Sequence, residues 1–123
     1  MKILRLTLKK KWFDMVLSGD KKEEYREIKP YWMKRLTFCF MGGFVACKYN
    51  SCGGRHEHCM NAMNDVYTHV EFRNGYSSKS PKILLELKGI IVGKGHKEWG
   101  APDDNVFIIR LGEIIETKNI TPN

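Results

Sequence analysis

The stretch Lys11-Trp12-Phe13-Asp14-Met15-Val16-Leu17-Ser18-Gly19-Asp20-Lys21-Lys22-Glu23-Glu24-Tyr25-Arg26 decides how this chain is read. Its first half has helical periodicity. Trp12, Met15 and Val16 form one stripe, Phe13 and Leu17 widen it, and Gly19 occupies the expected terminating position of a helix over 9–18. From Asp20 to Glu27 every residue except Tyr25 is charged, with the signs interleaved. Such density is costly to bury unless the groups pair, so the segment is either a solvated face or a site. Read as a turn and a strand, it puts Lys21 in the turn and Glu24 and Arg26, two apart, on one face. A lysine in a partly desolvated pocket becomes usable as a base or nucleophile, while a carboxylate beside a guanidinium suits the edge of a planar ligand.

Working outward, 2–8 (KILRLTL) alternates apolar and polar residues as a strand with one face on a core. Lys9, Lys10 and Lys11 crowd the start of the helix, where they oppose its dipole and create an anion-attracting end. Pro30 is placed to open a short helix, and 36–49 reads as a strand interrupted at Gly42-Gly43. Residues 56–64 suit a helix. Further strands are expected over 66–72, 82–92 and 106–116, with a turn at Asn74-Gly75 and a loop over 93–105. No β-α-β rhythm is visible, which disfavours a parallel sheet. The expected fold is α+β, mainly β: a small β-barrel or pseudo-barrel with one or two helices across its mouth.

The 123 residues suit one domain, over 1–116, followed by a frayed tail at 117–123. Lys and Arg outnumber Asp and Glu by 21 to 14, a formal charge of +7, so attraction to polyanions is expected and RNA is a candidate partner. The opening Met-Lys-Ile-Leu-Arg-Leu carries no secretory pattern, and the most apolar window, 36–47, is too short to span a bilayer. A cytoplasmic location without membrane association is the expectation.

The pattern G-x-K-x-x-E-x-R, carried by Gly19, Lys21, Glu24 and Arg26, resembles the signature of ASCH domains, small relatives of the PUA fold associated with RNA and modified nucleosides. The order of strand, aromatic-bearing helix ending in Ser-Gly and charged strand is similar to the family's opening. Phe72-Arg73-Asn74-Gly75-Tyr76, Trp99-Gly100 and Ile108-Ile109-Arg110-Leu111-Gly112 resemble its later strands and loop, so the similarity covers 3–115. The resemblance implies a PUA-like pseudo-barrel with an RNA-facing cleft beside the first helix. Some members are similar to amidohydrolases that deacylate N4-acetylcytidine with a lysine of this motif and a glutamate from a late loop. Carried over, these are Lys21 and Glu98, with Arg26 stabilising charge on the carbonyl oxygen. Where those members carry threonine three residues after the lysine, this chain has Glu24, expected to hold Lys21 protonated and raise its pKa. Binding of RNA or a nucleoside-like ligand by Lys21, Glu24, Arg26, Tyr76 and Trp99, with Lys9, Lys10, Lys11 and Arg73 meeting phosphate, is therefore the first expectation. Amidohydrolysis is the second and a protein-protein module the third.

Tyr31, Trp32, Tyr76 and Trp99 lie near cations and suit stacking on bases wherever they are exposed. Cys47, Cys52, His56, His58 and Cys59, with Cys39 upstream, are types that zinc accepts. Their spacing matches no common finger or ribbon, and small buried thiols explain the same letters, so no cofactor is expected and Cys47, Cys52, His56 and Cys59 remain the weak metal candidates. The purified protein should contain substoichiometric zinc and keep its secondary structure in chelator. Elemental analysis with circular dichroism checks this; one tightly held zinc, lost together with the fold, contradicts it.

Overall fold

The computed structural model describes residues 1–36 and 67–120. The strand expected over 36–49, the helix at 56–64 and the cysteine-histidine cluster lie outside the described residues. The elements run β1 (Ile3–Thr7), α1 (Lys10–Ser18), β2 (Glu23–Arg26), α2 (Pro30–Leu36), β3 (His69–Arg73), β4 (Lys82–Gly93), a single 3-10 turn (Lys97–Trp99) and β5 (Val106–Lys118). The five strands form one curled, mixed sheet in the order β1-β3-β4-β5-β2, a half-barrel with two short helices. This is the mainly β pseudo-barrel that the alternating segments imply.

Alternation fixes which face of each strand meets the core. Leu4 and Leu6 on β1, Val70 and Phe72 on β3, and Ile83 and Leu85 on β4 are buried together with Phe107, Ile109 and Leu111 of β5. Phe13 and Val16 of α1 and Met33 and Leu36 of α2 enter the same core from the helices. A smaller cluster, Tyr25, Ala101, Val106 and Ile108, lies under the 97–99 turn, with Trp99 packed on it. Register shifts along β4 and β5 between Leu84 and Gly89 break the ladder where the two longest strands must bend.

Two details depart from the expectation. β1 pairs with β3 in parallel, from Ile3 opposite His69 to Thr7 opposite Arg73. The rhythm that signals a parallel sheet is a single short crossover helix, whereas here the connection carries α1, α2 and a strand on the far edge. β5 also continues past residue 116: Thr117 pairs with Ile83 and Lys118 with Lys82, Asn119 Nδ2 donates to the Ser80 carbonyl at 3.3 Å, and Ile120 packs on the main core. Backbone partners at the start of β4 keep this stretch ordered, so the domain boundary drawn at 116 falls inside a strand. Among the described residues no helix is long and apolar enough to cross a membrane.

The loop between β4 and β5 is docked through Tyr25. Its hydroxyl accepts from the His96 backbone N–H at 2.9 Å and donates to Glu23 Oε1 at 2.8 Å. Gly95 lies against the ring so closely that a Cβ there would stand 2.3 Å from Tyr25 Cε1 and 2.7 Å from Ala101 Cβ. Gly95→Ala should therefore lower unfolding stability by about 1–3 kcal/mol. Gly93→Ala, whose new methyl meets Ile108 Cδ1 at an ordinary 3.5 Å, should cost clearly less. Urea unfolding of both variants measures the difference, and equal midpoints would show that the loop is not seated on Tyr25.

Candidate functional site

The charged segment folds as a turn and a strand because α1 stops at Gly19, whose φ of 88° suits a residue without a side chain. The Lys21 backbone N–H then returns to the Met15 carbonyl at 3.0 Å, which drives the Lys21 side chain inward rather than into solvent. Its side chain is fully buried. Nζ donates to the Glu23 carbonyl at 2.5 Å and the Trp99 carbonyl at 2.8 Å, and lies 3.0 Å from Glu24 Oε1. An ammonium has three hydrogens, and three oxygens receive them. The rings of Tyr25 and Trp12 flank the charge at 4.8 and 5.4 Å.

Glu24 is the centre of a chain of charges. Its second oxygen accepts a hydrogen bond from Arg26 Nη1, which also donates to the Tyr25 carbonyl at 2.7 Å. Arg26 Nη2 donates to the Thr7 carbonyl at 3.3 Å. Since Thr7 ends β1 and Arg26 ends β2, this bond spans the two edge strands of the open sheet. The structure thus brings Lys21, Glu24 and Arg26 into one ion-paired row.

A cavity of about 260 Å³ opens beside that row, bounded by Glu24, Tyr25 and Arg26 on one side and by Lys9, Trp12 and Trp99 around the rest. Gly100, with φ 96°, lets the loop backbone lie on the Trp12 indole; a Cβ there would stand 2.8 Å from Trp12 Cζ2. Other expected site residues stand elsewhere. Glu98 points outward, two-thirds exposed, with Oε1 3.4 Å from His96 Nδ1, so the structure does not join it to Lys21. Arg73 is committed to its own turn through the Gly75 and Ser77 carbonyls, and Tyr76 is 87 % exposed in that connection, neither of them lining the cavity. Lys10 pairs with Asp14 at 2.6 Å, and Lys11 lies 4.6 Å from the Trp12 ring.

Trp12 carries more of the site than its helical stripe suggested, where it read as core. Its place in the first turn beside Lys9, three residues away on the same face, is the signal that could have separated it from Phe13 and Val16. Trp32 is also spoken for: the Arg26 and Arg35 guanidinium groups lie 5.1 and 5.2 Å from its ring. The Trp99 carbonyl, an acceptor no side-chain pattern reveals, completes the Lys21 shell.

Burial pushes the Lys21 pKa below its ordinary value, and this outweighs Glu24, which pushes it up; Arg26 adds to the lowering. The salt bridge expected from Glu24 is present, but the expected rise in pKa is not, because desolvation of the ammonium is the larger effect. Burial likewise raises the Tyr25 pKa, with the Glu23 carboxylate adding to it.

Comparison of the chain with protein-family models, with curated proteins and with solved structures finds no match.

Glu24→Gln should cost about 3–5 kcal/mol, since it leaves two buried or nearly buried cations without their shared counter-charge. It also carries a pH signature. A lysine whose folded pKa is depressed binds fewer protons folded than unfolded between that pKa and 10.5, so stability rises with pH across this window and is lost as pH falls through the folded value. Removing Glu24 depresses the Lys21 pKa further, so the variant should regain stability from neutral pH toward pH 10 more steeply than the wild type. Urea midpoints at a series of pH values measure this, and parallel profiles would contradict it.

Proposed function

We propose that the chain is an ASCH-type domain with a PUA-like pseudo-barrel that binds RNA or a nucleoside-like ligand in the cavity between Trp12 and Trp99. One observation carries this reading: a fixed carboxylate-guanidinium pair, Glu24 with Arg26, borders a base-sized cavity to which two indoles also contribute. Indoles offer stacking surface to any base, and a guanidinium offers paired donors to its polar edge. The two cations of the row exceed its one carboxylate, and Lys9 stands at the rim, so the cavity favours a ligand with negative charge or dense acceptors. The motif Gly19, Lys21, Glu24 and Arg26 and the half-barrel frame support the same assignment.

Amidohydrolysis draws less support from this arrangement. A nucleophilic or basic Lys21 needs a free lone pair, but the three oxygens around Nζ are arranged for an ammonium. A neutral amine would set its lone pair against one of them. The loop glutamate that the reaction requires faces His96 and solvent.

Titration of short single-stranded RNA into the protein, followed by calorimetry at several salt concentrations, tests the proposal. Trp12→Leu and Trp99→Leu should each weaken binding by about 1–3 kcal/mol, the usual range for a stacked base. Lys9→Gln should instead flatten the dependence of log K on log salt by about 0.7 for one lost phosphate contact. Absence of binding to RNA and to nucleosides, or indifference to both indole changes, would overturn the reading.

A further inference from the structure

The cavity between the indoles is not the whole depression at this end of the molecule. A second cavity, of about 670 Å³, lies on the other side of Arg26, and Tyr25, Arg26 and Gly100 line both. The smaller lobe has room for one base with little to spare. The larger is too big for a single substituent on that base, yet it shares a wall with it. Gly100 has no side chain to project into the passage where the lobes meet.

The second lobe differs in chemistry from the first. Glu27 and Asp104 balance Arg26 and Lys29, and Glu27 is already paired with Lys29 at 2.9 Å. A balanced wall does not gather phosphates. Ile28, Pro102 and Val106 supply apolar surface, while the Asp104 carboxylate and the Asn105 amide supply acceptors suited to the hydroxyls of a sugar. Between the lobes, Arg26 commits three of its five donors to Glu24, Tyr25 and Thr7, and these bonds leave two donors of a side chain that lines both cavities uncommitted. A single negative group is wanted at that point, with an uncharged, partly apolar, hydroxyl-bearing group beyond it.

We propose that these lobes form one two-part site in which the base of one nucleotide lies between Trp12 and Trp99, the linking phosphodiester crosses Arg26, and the neighbouring ribonucleoside fills the second lobe. The inference rests on the binding reading above and sharpens it: the ligand is a segment of RNA at least two nucleotides long, not a free nucleoside. The 2′-hydroxyl matters because Asp104 and Asn105 offer two neighbouring acceptors, which the paired hydroxyls of a terminal ribose can fill and the single hydroxyl of a terminal deoxyribose cannot.

Calorimetric titration of the full chain with four sets of probes decides this: the ribonucleosides, their 5′-monophosphates, the homodinucleotides ApA, CpC, GpG and UpU, and the deoxy forms of those dinucleotides. The best dinucleotide should bind at least about ten-fold tighter than both its nucleoside and its monophosphate, the scale expected for one more seated nucleoside. Its deoxy counterpart, short of one donor, should lose a measurable part of that gain. Asp104→Ala with Asn105→Ala, both at exposed positions, should erase the gain while nucleoside affinity stays as it was. Equal affinity for nucleoside and dinucleotide, or a gain already complete in the monophosphate, would overturn the two-part site and leave the binding reading standing. A gain kept in full by the deoxy form or by the double variant would overturn the role given to the second lobe. No binding by any probe, or by longer RNA, would remove both readings together.

Discussion

A buried ammonium organises this end of the molecule. Placing the Lys21 charge beyond the reach of water costs several kcal/mol, and the chain offsets that cost only by delivering three oxygens to Nζ. Those oxygens come from different places: a strand backbone, a strand side chain, and the carbonyl of Trp99, 78 residues away in the β4–β5 loop. Meeting the charge therefore fixes the loop against β2. Once the Trp99 carbonyl is held, its indole is placed near Trp12, and the cavity takes its shape from that placement. Tyr25 clamps the same loop one step further along through the His96 N–H.

Arg26 extends this constraint to the other edge of the sheet and to α2. Its guanidinium reaches the Thr7 carbonyl on β1, and one face of Trp32 on α2 lies near it. Arg35 approaches the same indole at 5.2 Å while donating to the Arg5 carbonyl at 3.2 Å. α2 has only seven residues and no acidic side chain in its first turn, so its own propensity would not sustain it. Met33 and Leu36 in the core and this aromatic-guanidinium stack supply what propensity lacks. A short helix that would fray in isolation becomes part of the support for a side chain that lines both lobes.

How much of this could be read from the letters depends on the range of each interaction. Alternation in β1, β4 and β5 and the amphipathic stripe of α1 are local, and they gave the half-barrel. The convergence of Lys21, Glu24 and Arg26 was also legible, because a turn followed by a two-residue strand spacing fixes their relative placement within six positions. The resemblance sets Glu98 beside Lys21, which the structure does not do, since its neighbours in sequence do not say whether the 3-10 turn offers its side chains or its backbone to the site. The backbone went inward, through the Trp99 carbonyl, and Glu98 turned to His96. Thr117 and Lys118 read as tail because they are polar and stand close to the end of the sequence; their partners, Ile83 and Lys82, are a whole hairpin away. The sign of the Lys21 shift failed for a similar reason. The ion pair was visible in the spacing, but the depth of burial that outweighs it arises from Trp12, Tyr25 and Trp99 closing around the ammonium.

That closure separates a reacting lysine from a structural one. A reacting lysine must exchange its proton and keep one direction open toward substrate, which requires a shell with a missing partner. Here the shell is complete, and the price is met by rigidity: each charge of the row is fixed by at least two neighbours before any ligand arrives. Preorganised donors lose little conformational freedom on binding, and a partner that cannot use them leaves them desolvated and unpaired. Under the proposed binding role, such a row would discriminate by the edge and charge that a ligand presents to Arg26. Glu24 is then not an obstacle to the chemistry of Lys21 but the group that turns both cations into fixed parts of one wall.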